Sequence, residues 1–528
     1  MNTSLRSFAF LGSVLTLLLM DFQQGVAQSG EFRQTSVQRG NSLTSASTNT
    51  GDDSMEECTI GVATGMATKD GRPMVWKTRD SSPRKNALYY NTTSRYRFIA
   101  VIDGGSPSSS WMSVNEKGFA IVNSTSEDLK TTATGPGNGS LMTLAVGTCA
   151  TIAEFQHLLD STNVTQRQTR ANFAVIDSTG AAAIFETGGT SYSKYDAAST
   201  PSGYVLRTNF AFSGGGGKGL RRFQRTTALF QTYTAGDSLL PRTLLRYQMR
   251  DFSDASGIPY AIPFSGSVSP GVPAGYIQTD STICRYISVS AAVIHGVKNG
   301  EPAASSTMWT ILGQPATGIA VPYWPIGQPP DIARDLPTAL LNDEATALFT
   351  NLWNSASYPS YVRTAGLRTT TGGGIWSILF PTEDQLFAAA DTLLTSWRSG
   401  KLSPAAVLSA EASYAALALS SLQSAKMMLT SIAQESETAV PSTFQLSQNY
   451  PNPFNPSTVI QFQLTEAGPV ELKVFDMLGR LVATLVDKEM SVGTHLASWD
   501  AARFASGVYI YSLKTKLFSA TKRMVLIR

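Results

Sequence analysis

The sequence is poor in histidine and in charged residues. Its 528 residues include only three histidines, His157, His295 and His495. None falls in a metal-ligand spacing, and neither HExxH nor CxxC occurs. We therefore predict no metal and no other cofactor, and a Cys/His or Ser/His dyad could arise only through space. Charged residues amount to 15%, the net charge is +3 and no basic stripe is present, which argues against a nucleic-acid partner.

Long apolar runs are also scarce. The run over residues 8–20 is too short to span a bilayer comfortably. It follows Arg6 and precedes the small-residue triplet Gly25-Val26-Ala27. This order predicts a secretory signal peptide over residues 1–27, with an N-terminal membrane anchor as the alternative. No later segment has 18 consecutive apolar residues, so we expect a soluble mature chain without a stable membrane span.

Cysteine is rare too, and its count is odd. Export permits disulfides, but Cys58, Cys149 and Cys284 cannot all pair within one chain. A Cys149–Cys284 bond that leaves Cys58 free is one permitted arrangement. Residues 28–57 are polar and are predicted to be disordered, whereas strand character begins abruptly at Cys58. Cys58 is therefore either a buried core thiol or a nucleophile created by cutting the Glu57–Cys58 bond.

The rest of the chain divides into regions of different pattern. Paired strand patterns separated by turn residues fill residues 58 to about 300, and helical patterns interrupt them at 151–161 and 219–233. Strands in layers with helices between them indicate an α+β sandwich. Residues 383–433 are helical in pattern, with Ser403-Pro404 as a helix start, and residues 434–444 form a polar linker. Six short strand patterns then predict a small C-terminal β-sandwich.

The first two hairpins bring polar groups towards Cys58. Pairing across a turn centred near residues 69–70 sets Cys58 near Ser81, with Asp80 and Lys77 on the adjoining strand end. The second hairpin sets Asn123 towards the end of a strand, near Ser110.

A cut before Cys58 would supply a self-sufficient nucleophile. The thiol has an ordinary pKa of about 8.5 and an α-amine one of about 7.7 to 8, so the new amine can take the thiol proton without a histidine. A nearby cation lowers the pKa of the thiol further. Asp80 can orient the ammonium group, and an asparagine side chain can donate to a tetrahedral oxyanion, which is worth roughly 3 kcal/mol.

These residues carry a family resemblance. Cys58-Thr59, the segment 77-KTRD-80 and the segment 115-NEKGFAIVN-123 resemble motifs of the Ntn hydrolases of the choloylglycine hydrolase and penicillin acylase/acyltransferase type. Asn209 in a T-N context and Arg285 in 284-CRY-286 match later family positions. The resemblance implies a four-layer αββα sandwich over residues 58–380, autocatalytic removal of a propeptide, and cleavage of a non-peptide C–N amide in a small molecule through an acyl-enzyme.

The resemblance also implies residue roles. Cys58 would be nucleophile and base, and Asp80 would orient its amine. Asn123 and Asn209 would serve the oxyanion, and Arg285 would support the site. The family usually has R-N-x-D where this chain has K-T-R-D, so either Lys77 replaces the arginine or Arg79 reaches the site instead.

The C-terminal segment has a resemblance of its own. The segments 449-NYPNPFNPSTVIQF-462, 475-FDMLGRLV-482 and 507-GVYIYSLKT-515 resemble the C-terminal sorting domain of type IX secretion cargo. This implies that the secretion machinery recognises residues 445–528 and that the protein is secreted or held at the cell surface. An ordinary Ig-like accessory domain is the alternative.

Together these features predict a signal peptide (1–27), a propeptide (28–57), a catalytic domain (58–380), a helical extension (381–433), a linker (434–444) and a sorting β-sandwich (445–528). The predicted function is that of a secreted, self-processing cysteine amidohydrolase. Two alternatives are an acyltransferase or a dipeptidase of the related Ntn group. A third is a non-catalytic surface or adhesion protein on an inactive Ntn scaffold.

Overall fold

A computed structural model describes residues 57–253, 262–264, 275–353, 360–438, 444–449, 452–454 and 456–526. The predicted signal peptide and residues 28–56 of the predicted propeptide lie outside these ranges. Glu57, the last residue of that propeptide, is half-buried and begins the first strand instead of lying in a disordered segment.

Two large antiparallel sheets form the main part of the fold. In chain order the strands of this region are β1 Glu57–Ala63, β2 Met74–Asp80, β3 Asn86–Asn91, β4 Phe98–Asp103, β5 Met112–Asn115, β6 Ala120–Thr125, β7 Ala171–Ile176, β8 Ala182–Thr187, β9 Tyr192–Asp196, β10 Tyr204–Arg207, β11 Tyr276–Gln278, β12 Ser288–His295, β13 Thr307–Leu312, β14 Val321–Tyr323 and β15 Tyr361–Arg363. One sheet has six strands in the order β10-β1-β2-β12-β13-β14, and the other has seven in the order β3 to β9. The short strands β11 and β15 pair with each other.

Helices cover the outer faces of both sheets. The longer ones are α1 Asn138–Thr148, α2 Ile152–Thr165, α3 Leu220–Ala235, α4 Leu340–Trp353, α5 Trp376–Arg398 and α6 Pro404–Thr438. Phe155 of α2 packs against Phe173 and Phe185 of the seven-stranded sheet. On the six-stranded sheet, Phe230 of α3 stacks on Trp76 with ring centroids 4.9 Å apart. The sheets face each other through β1, β2, β6 and β7, so the predicted αββα sandwich is confirmed.

The register of the first hairpin differs from the prediction by two residues. Glu57 lies opposite Asp80 and Cys58 lies opposite Arg79, not near Ser81. The connecting loop holds two successive turns instead of one, because the Ala67 amide donates to the Thr64 carbonyl and the Gly71 amide donates to the Thr68 carbonyl, and the strands pair about a centre between residues 68 and 69. Since a two-residue shift leaves every side chain on its predicted face, the polar groups still meet at this strand end.

The helical extension is not a separate unit. The helix α5 begins before the predicted boundary at residue 381, and α6 continues into the predicted linker. Leu386 of α5 and Leu422 of α6 belong to the same buried core as the two sheets. The Ser403 side chain accepts from the Ala406 amide at 3.3 Å, as a helix-start residue should. Among the described residues, one segment, Pro404–Thr430, is apolar and long enough to cross a membrane, and a third of its most apolar window is buried in the fold.

The C-terminal region is a β-sandwich with its own core. Its strands are β16 Gln445–Leu446, β17 Ser457–Leu464, β18 Gly468–Asp476, β19 Leu481–Met490, β20 Gly493–Asp500, β21 Gly507–Lys514 and β22 Ser519–Leu526. They form the sheets β16-β17-β20 and β19-β18-β21-β22. Leu472, Tyr511 and Leu513 are fully buried between them.

All three cysteines are buried and none forms a disulfide, so the Cys149–Cys284 bond that the sequence permits is not formed. The two residues belong to different layers. Cys149 ends α1, where its carbonyl accepts from Asn115 at the end of β5 in the seven-stranded sheet. Cys284 precedes β12 of the other sheet, and its sulfur accepts from Gln314 at 3.1 Å.

Candidate active site

Cys58 lies at the start of β1, and side chains from two other elements hold its backbone. The strand β10 pairs with β1 up to the Arg207–Ile60 pair, and the chain then continues alongside Cys58. The Cys58 amide donates to Asn209 Oδ1 at 2.8 Å. The Cys58 carbonyl accepts from Arg222 Nη1 at 2.8 Å. The scissile amide proposed from the sequence is therefore fixed by polar contacts on its downstream side.

Asn209 presents its acceptor oxygen to the backbone nitrogen of Cys58. Its Oδ1 accepts from the Cys58 amide and from Arg222 Nη2, each at 2.8 Å. Its Nδ2 donates to the Thr125 carbonyl at 2.9 Å. These contacts fix the orientation of the side-chain amide, so that Oδ1 faces the Cys58 nitrogen and Nδ2 faces Thr125.

Arg222 is a site residue that the sequence analysis missed. It is almost fully buried in the first turn of α3, on the buried helix face that also includes Thr226, Phe230 and Tyr233. An arginine on the buried stripe of an amphipathic helix is a signal that could have identified it, because a charge is rarely buried without a partner. Besides Cys58 and Asn209, Arg222 contacts the Glu57 carboxylate at 3.2 Å.

Glu57, Asp80 and Arg285 form a polar group on the opposite face of β1 and β2. Arg285 Nη1 donates to Glu57 Oε2, and it lies 3.4 Å from Asp80 Oδ2. Ser288 Oγ donates to Asp80 Oδ1 at 2.6 Å. Complete burial raises the pKa of the Asp80 carboxyl above its ordinary value, although Arg285, Arg222 and Ser288 oppose the shift. In the uncut chain Asp80 is thus paired with Arg285, while Asn209 holds the Cys58 nitrogen.

Lys77 and Asn123 form a second pair on the face that Cys58 occupies. Lys77 Nζ donates to Asn123 Oδ1 at 2.7 Å and lies 5.5 Å from the centroid of the Trp111 ring. Asn123 is fully buried, and within the described residues its Nδ2 has no hydrogen-bond partner. A buried donor without an acceptor is unfavourable in a folded protein. The Asn123 Nδ2 group is therefore suited to donate a hydrogen bond to an oxygen of a reacting molecule.

Arg79 also shares the face of Cys58, but it is engaged elsewhere. Its guanidinium binds both oxygens of Asp103, at 2.7 and 3.1 Å, and donates to Asn86 at 2.8 Å. It also stacks on Trp111 at 4.5 Å. Of the two basic residues that the sequence left open, Lys77 donates to the predicted site residue Asn123, whereas the Arg79 guanidinium binds Asp103 and Asn86.

The other two thiols are held in their protonated form. Burial raises the pKa of Cys149 to about 11 and that of Cys284 to about 12. A thiol with such a pKa is a poor nucleophile near neutral pH.

No histidine assists Cys58. His157 is exposed on α2, and His495 belongs to the C-terminal sandwich. His295 lies 3.1 Å from Asp70, at the opposite end of β12 from Ser288. No group of three or more His, Cys, Asp or Glu side chains suited to a metal occurs in the part of the chain that the structure describes.

A cavity of about 460 Å³ opens beside the edge strand β10. Tyr195, Tyr204, Phe212 and Phe223 contribute aromatic surface to its wall. Tyr204–Arg207 of β10 also line the cavity, and this strand pairs with β1, which begins at the site. Its aromatic lining is suited to an apolar group.

The ion pairs of Glu57 predict a pH-dependent stability of the uncut chain. Burial raises the pKa of the Glu57 carboxyl, but Arg285, Arg222 and Lys218 outweigh burial and hold the pKa below its ordinary 4.5. A lowered pKa in the folded state stabilises the fold above pH 4.5, and this contribution is lost as the pH falls through the folded-state value. We expect an uncut Cys58→Ala chain to melt at a higher temperature than Cys58→Ala/Glu57→Gln at neutral pH, and the difference to vanish in acid. A difference in melting temperature that persists unchanged in acid would contradict the assignment.

Comparisons with known proteins gave one family match and several similar solved structures. Residues 448–527 match the family model of the secretion system C-terminal sorting domain, which confirms the predicted sorting region and indicates export to the cell surface or beyond. A search of curated proteins found no match. Among solved structures, the chain is similar to a variant of conjugated bile acid hydrolase from Clostridium perfringens, with 10% identity and a TM-score of 0.31 over 48% of this chain and 89% of that one.

Two further solved structures are similar to parts of this chain. Penicillin V acylase from Agrobacterium tumefaciens has 14% identity and a TM-score of 0.28 over 51% of this chain and 85% of its own. PorZ, a surface component of the type IX secretion system of Porphyromonas gingivalis, has 24% identity and a TM-score of 0.12 over 18% of this chain and 12% of its own.

Proposed function

We propose that the chain is an exported, autocatalytically processed cysteine amidohydrolase that cleaves a non-peptide C–N amide bond in a small molecule. The observation that carries the proposal is the restraint of Cys58. Asn209 accepts from its amide and Arg222 donates to its carbonyl, at the point where the propeptide meets β1. Because β10 no longer pairs with β1 at this residue, these two buried polar side chains take the place of a strand partner and hold the Cys58 backbone in a fixed position. The high pKa values of the other two thiols leave Cys58 as the candidate nucleophile.

Processing and catalysis would use the same chemistry. Cys58 Sγ attacks the Glu57 carbonyl carbon, the C–N bond breaks, and the Cys58 nitrogen leaves as an amine that takes up a proton. Water then hydrolyses the thioester, which releases the propeptide with a free carboxylate on Glu57. In the mature chain the α-amine of Cys58 takes the thiol proton, and Sγ attacks the substrate amide to form an acyl-enzyme that water hydrolyses.

The contacts support a division of roles among the polar residues that differs in part from the sequence prediction. Asn123 Nδ2 is the oxyanion donor, and Lys77 fixes its orientation through Oδ1. Asn209 Oδ1 accepts from the Cys58 nitrogen before and after the cut, a role that the sequence assigned to Asp80. Asp80 balances Arg285 once Glu57 has left, and the retained charge pair supports the site electrostatically.

Hydrolysis is favoured over acyl transfer because an exported enzyme meets water and few activated acyl donors. The acyltransferase and dipeptidase readings use the same nucleophile and differ only in the acceptor and the substrate. An inactive scaffold would keep Glu57 bonded to Cys58.

Intact-mass analysis of the purified, exported chain tests the proposal. We expect a mature N-terminus at Cys58 and hydrolysis of at least one class in a panel of N-acyl amino acids, penicillins, bile-salt conjugates and dipeptides. Hydrolysis of dipeptides and of no other class in the panel would identify the dipeptidase. Transfer of the acyl group to an added amine would identify the acyltransferase. A chain that begins near Gln28 and is inert on the whole panel would contradict the proposal and favour the scaffold.

A further inference from the structure

Three basic side chains surround the carboxylate of Glu57. Arg285 Nη1 donates to its Oε2, Arg222 Nη2 lies 3.2 Å from the same oxygen, and Lys218 Nζ lies 3.5 Å from Oε1. We refer to Lys218, Arg222 and Arg285 as the cationic cluster. They come from the segment before α3, from α3 itself and from the segment before β12, so they converge on Glu57 from separate parts of the chain.

Removal of the propeptide leaves the cationic cluster short of negative charge. Asp80 remains beside Arg285, and Glu127 remains 2.6 Å from Lys218. Arg222 forms no ion pair with another carboxylate in the described residues, although Asp80 interacts with it electrostatically, and its remaining hydrogen bonds are to Cys58, Thr59 and Asn209. In addition, Arg285 Nε is buried and has no hydrogen-bond acceptor within the described ranges. The mature site therefore keeps three cations, two remaining carboxylates and one unpaired donor beside the nucleophile.

The chemistry of processing indicates which part of a substrate would occupy the position that Glu57 leaves. During processing the propeptide is the acyl group of a thioester on Cys58, and during catalysis the substrate acyl group forms the same kind of thioester. The side chain of Glu57 therefore occupies the position available to an acyl chain that extends from the reacting carbonyl. Three carbon atoms, Cα, Cβ and Cγ, separate the carbonyl carbon of Glu57 from its carboxylate carbon. This is the spacing of a glutaryl group.

We infer that the mature enzyme prefers amides of five-carbon dicarboxylic acids, whose distal carboxylate binds the cationic cluster in place of Glu57. This inference rests on the proposed function, because it requires both processing and an acyl-enzyme on Cys58. The acyl carbonyl takes the place of the Glu57 carbonyl, and the amine of the substrate is the leaving group. A planar carboxylate suits the paired donors of the two arginines, and Lys218 adds a point charge at the more exposed edge.

The preference is measurable on the exported, mature full-length chain. The substrates are glutaryl-p-nitroanilide, its uncharged isostere 4-carbamoylbutyryl-p-nitroanilide, and the shorter succinyl and longer adipoyl anilides. We expect kcat/KM for the glutaryl compound to exceed that of the uncharged isostere by at least about tenfold, as one charge-assisted hydrogen bond would give. We also expect it to exceed both other chain lengths. Lys218→Gln should reduce the ratio of glutaryl to uncharged turnover.

Arg221→Gln is the matched control. Arg221 is an exposed neighbour of Arg222 on the same helix, and its replacement makes the same change in net charge as Lys218→Gln. We expect it to leave the ratio unaltered. A binding measurement gives a second readout: glutarate should raise the melting temperature of the mature chain but not that of an uncut Cys58→Ala chain, whose cationic cluster is occupied by Glu57.

The outcomes separate this inference from the proposed function. A chain cut at Cys58 that hydrolyses the uncharged anilide as fast as the glutaryl anilide would overturn the acidic preference and leave the amidohydrolase intact. A loss of the ratio in Arg221→Gln equal to that in Lys218→Gln would also overturn it, because a general surface charge would then be the cause. An uncut chain that hydrolyses none of the anilides would contradict both.

Discussion

Replacing Cys58 with alanine is expected to leave the exported chain uncut and without amidase activity. The variant keeps the backbone contacts to Asn209 and Arg222 and loses only the sulfur atom. Alanine cannot form the thioester, so the Glu57–Cys58 bond stays whole and no acyl-enzyme can follow. Intact-mass analysis should find a chain that begins near Gln28, and turnover of every amide that the wild type hydrolyses should fall to background.

Cys149→Ala and Cys284→Ala are the matched controls for this variant. Each removes one buried thiol, as Cys58→Ala does, but from a position where burial raises the thiol pKa to about 11 or about 12. We expect both controls to be cut at Cys58 and to retain activity, with a stability loss from the cavity as the main effect. If Cys58→Ala were trimmed at the same bond as the wild type, an external protease would be responsible and self-processing would be wrong.

Much of the fold could be predicted because its signals are local. The strand patterns 172–177 and 181–187 flank the turn residues Ser178-Thr179-Gly180, and the structure has strands at Ala171–Ile176 and Ala182–Thr187. The start of α6 is set by the Ser403 hydroxyl, which accepts from the Ala406 amide, and by the ring of Pro404, which suits the first helical position. In such cases the residues that determine the element are neighbours in the chain, so periodicity and turn chemistry suffice.

The predictions were wrong where contacts within a loop, or between residues distant in the chain, determine the register or the length of an element. The loop between β1 and β2 contains an additional turn at residues 64–67, and the hairpin register differs from the one expected for a single turn. The continuation of α6 into the predicted linker follows no signal in the polar residues there. Arg79 is buried because Asp103 of β4 reaches it across the sandwich, and no spacing within 77-KTRD-80 reveals that partner.

In the candidate site, the identity of the residues could be predicted from the sequence, but the orientation of their side chains could not. Sequence motifs identified residues that the structure brings into contact in pairs, namely Cys58 with Asn209, Lys77 with Asn123 and Asp80 with Arg285. They did not determine how each side chain is turned. The orientation of the Asn209 amide depends on Thr125 and Arg222, which come from β6 and α3, so its acceptor role could be assigned only from the folded contacts.

Asn123→Asp is expected to lower kcat about 10²–10³-fold, which is the usual effect of losing one oxyanion donor. The aspartate has nearly the same shape and still accepts from Lys77, so the fold and the pair with Lys77 should persist. It lacks the Nδ2 donor, and its charge opposes an oxyanion. Because processing passes through the same kind of intermediate, the variant should also accumulate uncut chain. Steady-state kinetics on the cut fraction and intact-mass analysis measure the two effects.

Asn172→Asp separates this effect from a loss of stability. Asn172 lies in the neighbouring strand β7, and its Nδ2 donates at 3.1 Å to Ser124 Oγ and to the carbonyls of Thr208 and Phe210. The same substitution therefore removes three formed hydrogen bonds there, and we expect a lower melting temperature as its main effect. At Asn123 it removes a donor with no partner among the described residues, so stability should change little while turnover falls. Wild-type turnover in Asn123→Asp at a pH where the new carboxyl is ionised would exclude Asn123 as the oxyanion donor, because an ionised carboxylate cannot donate a hydrogen bond.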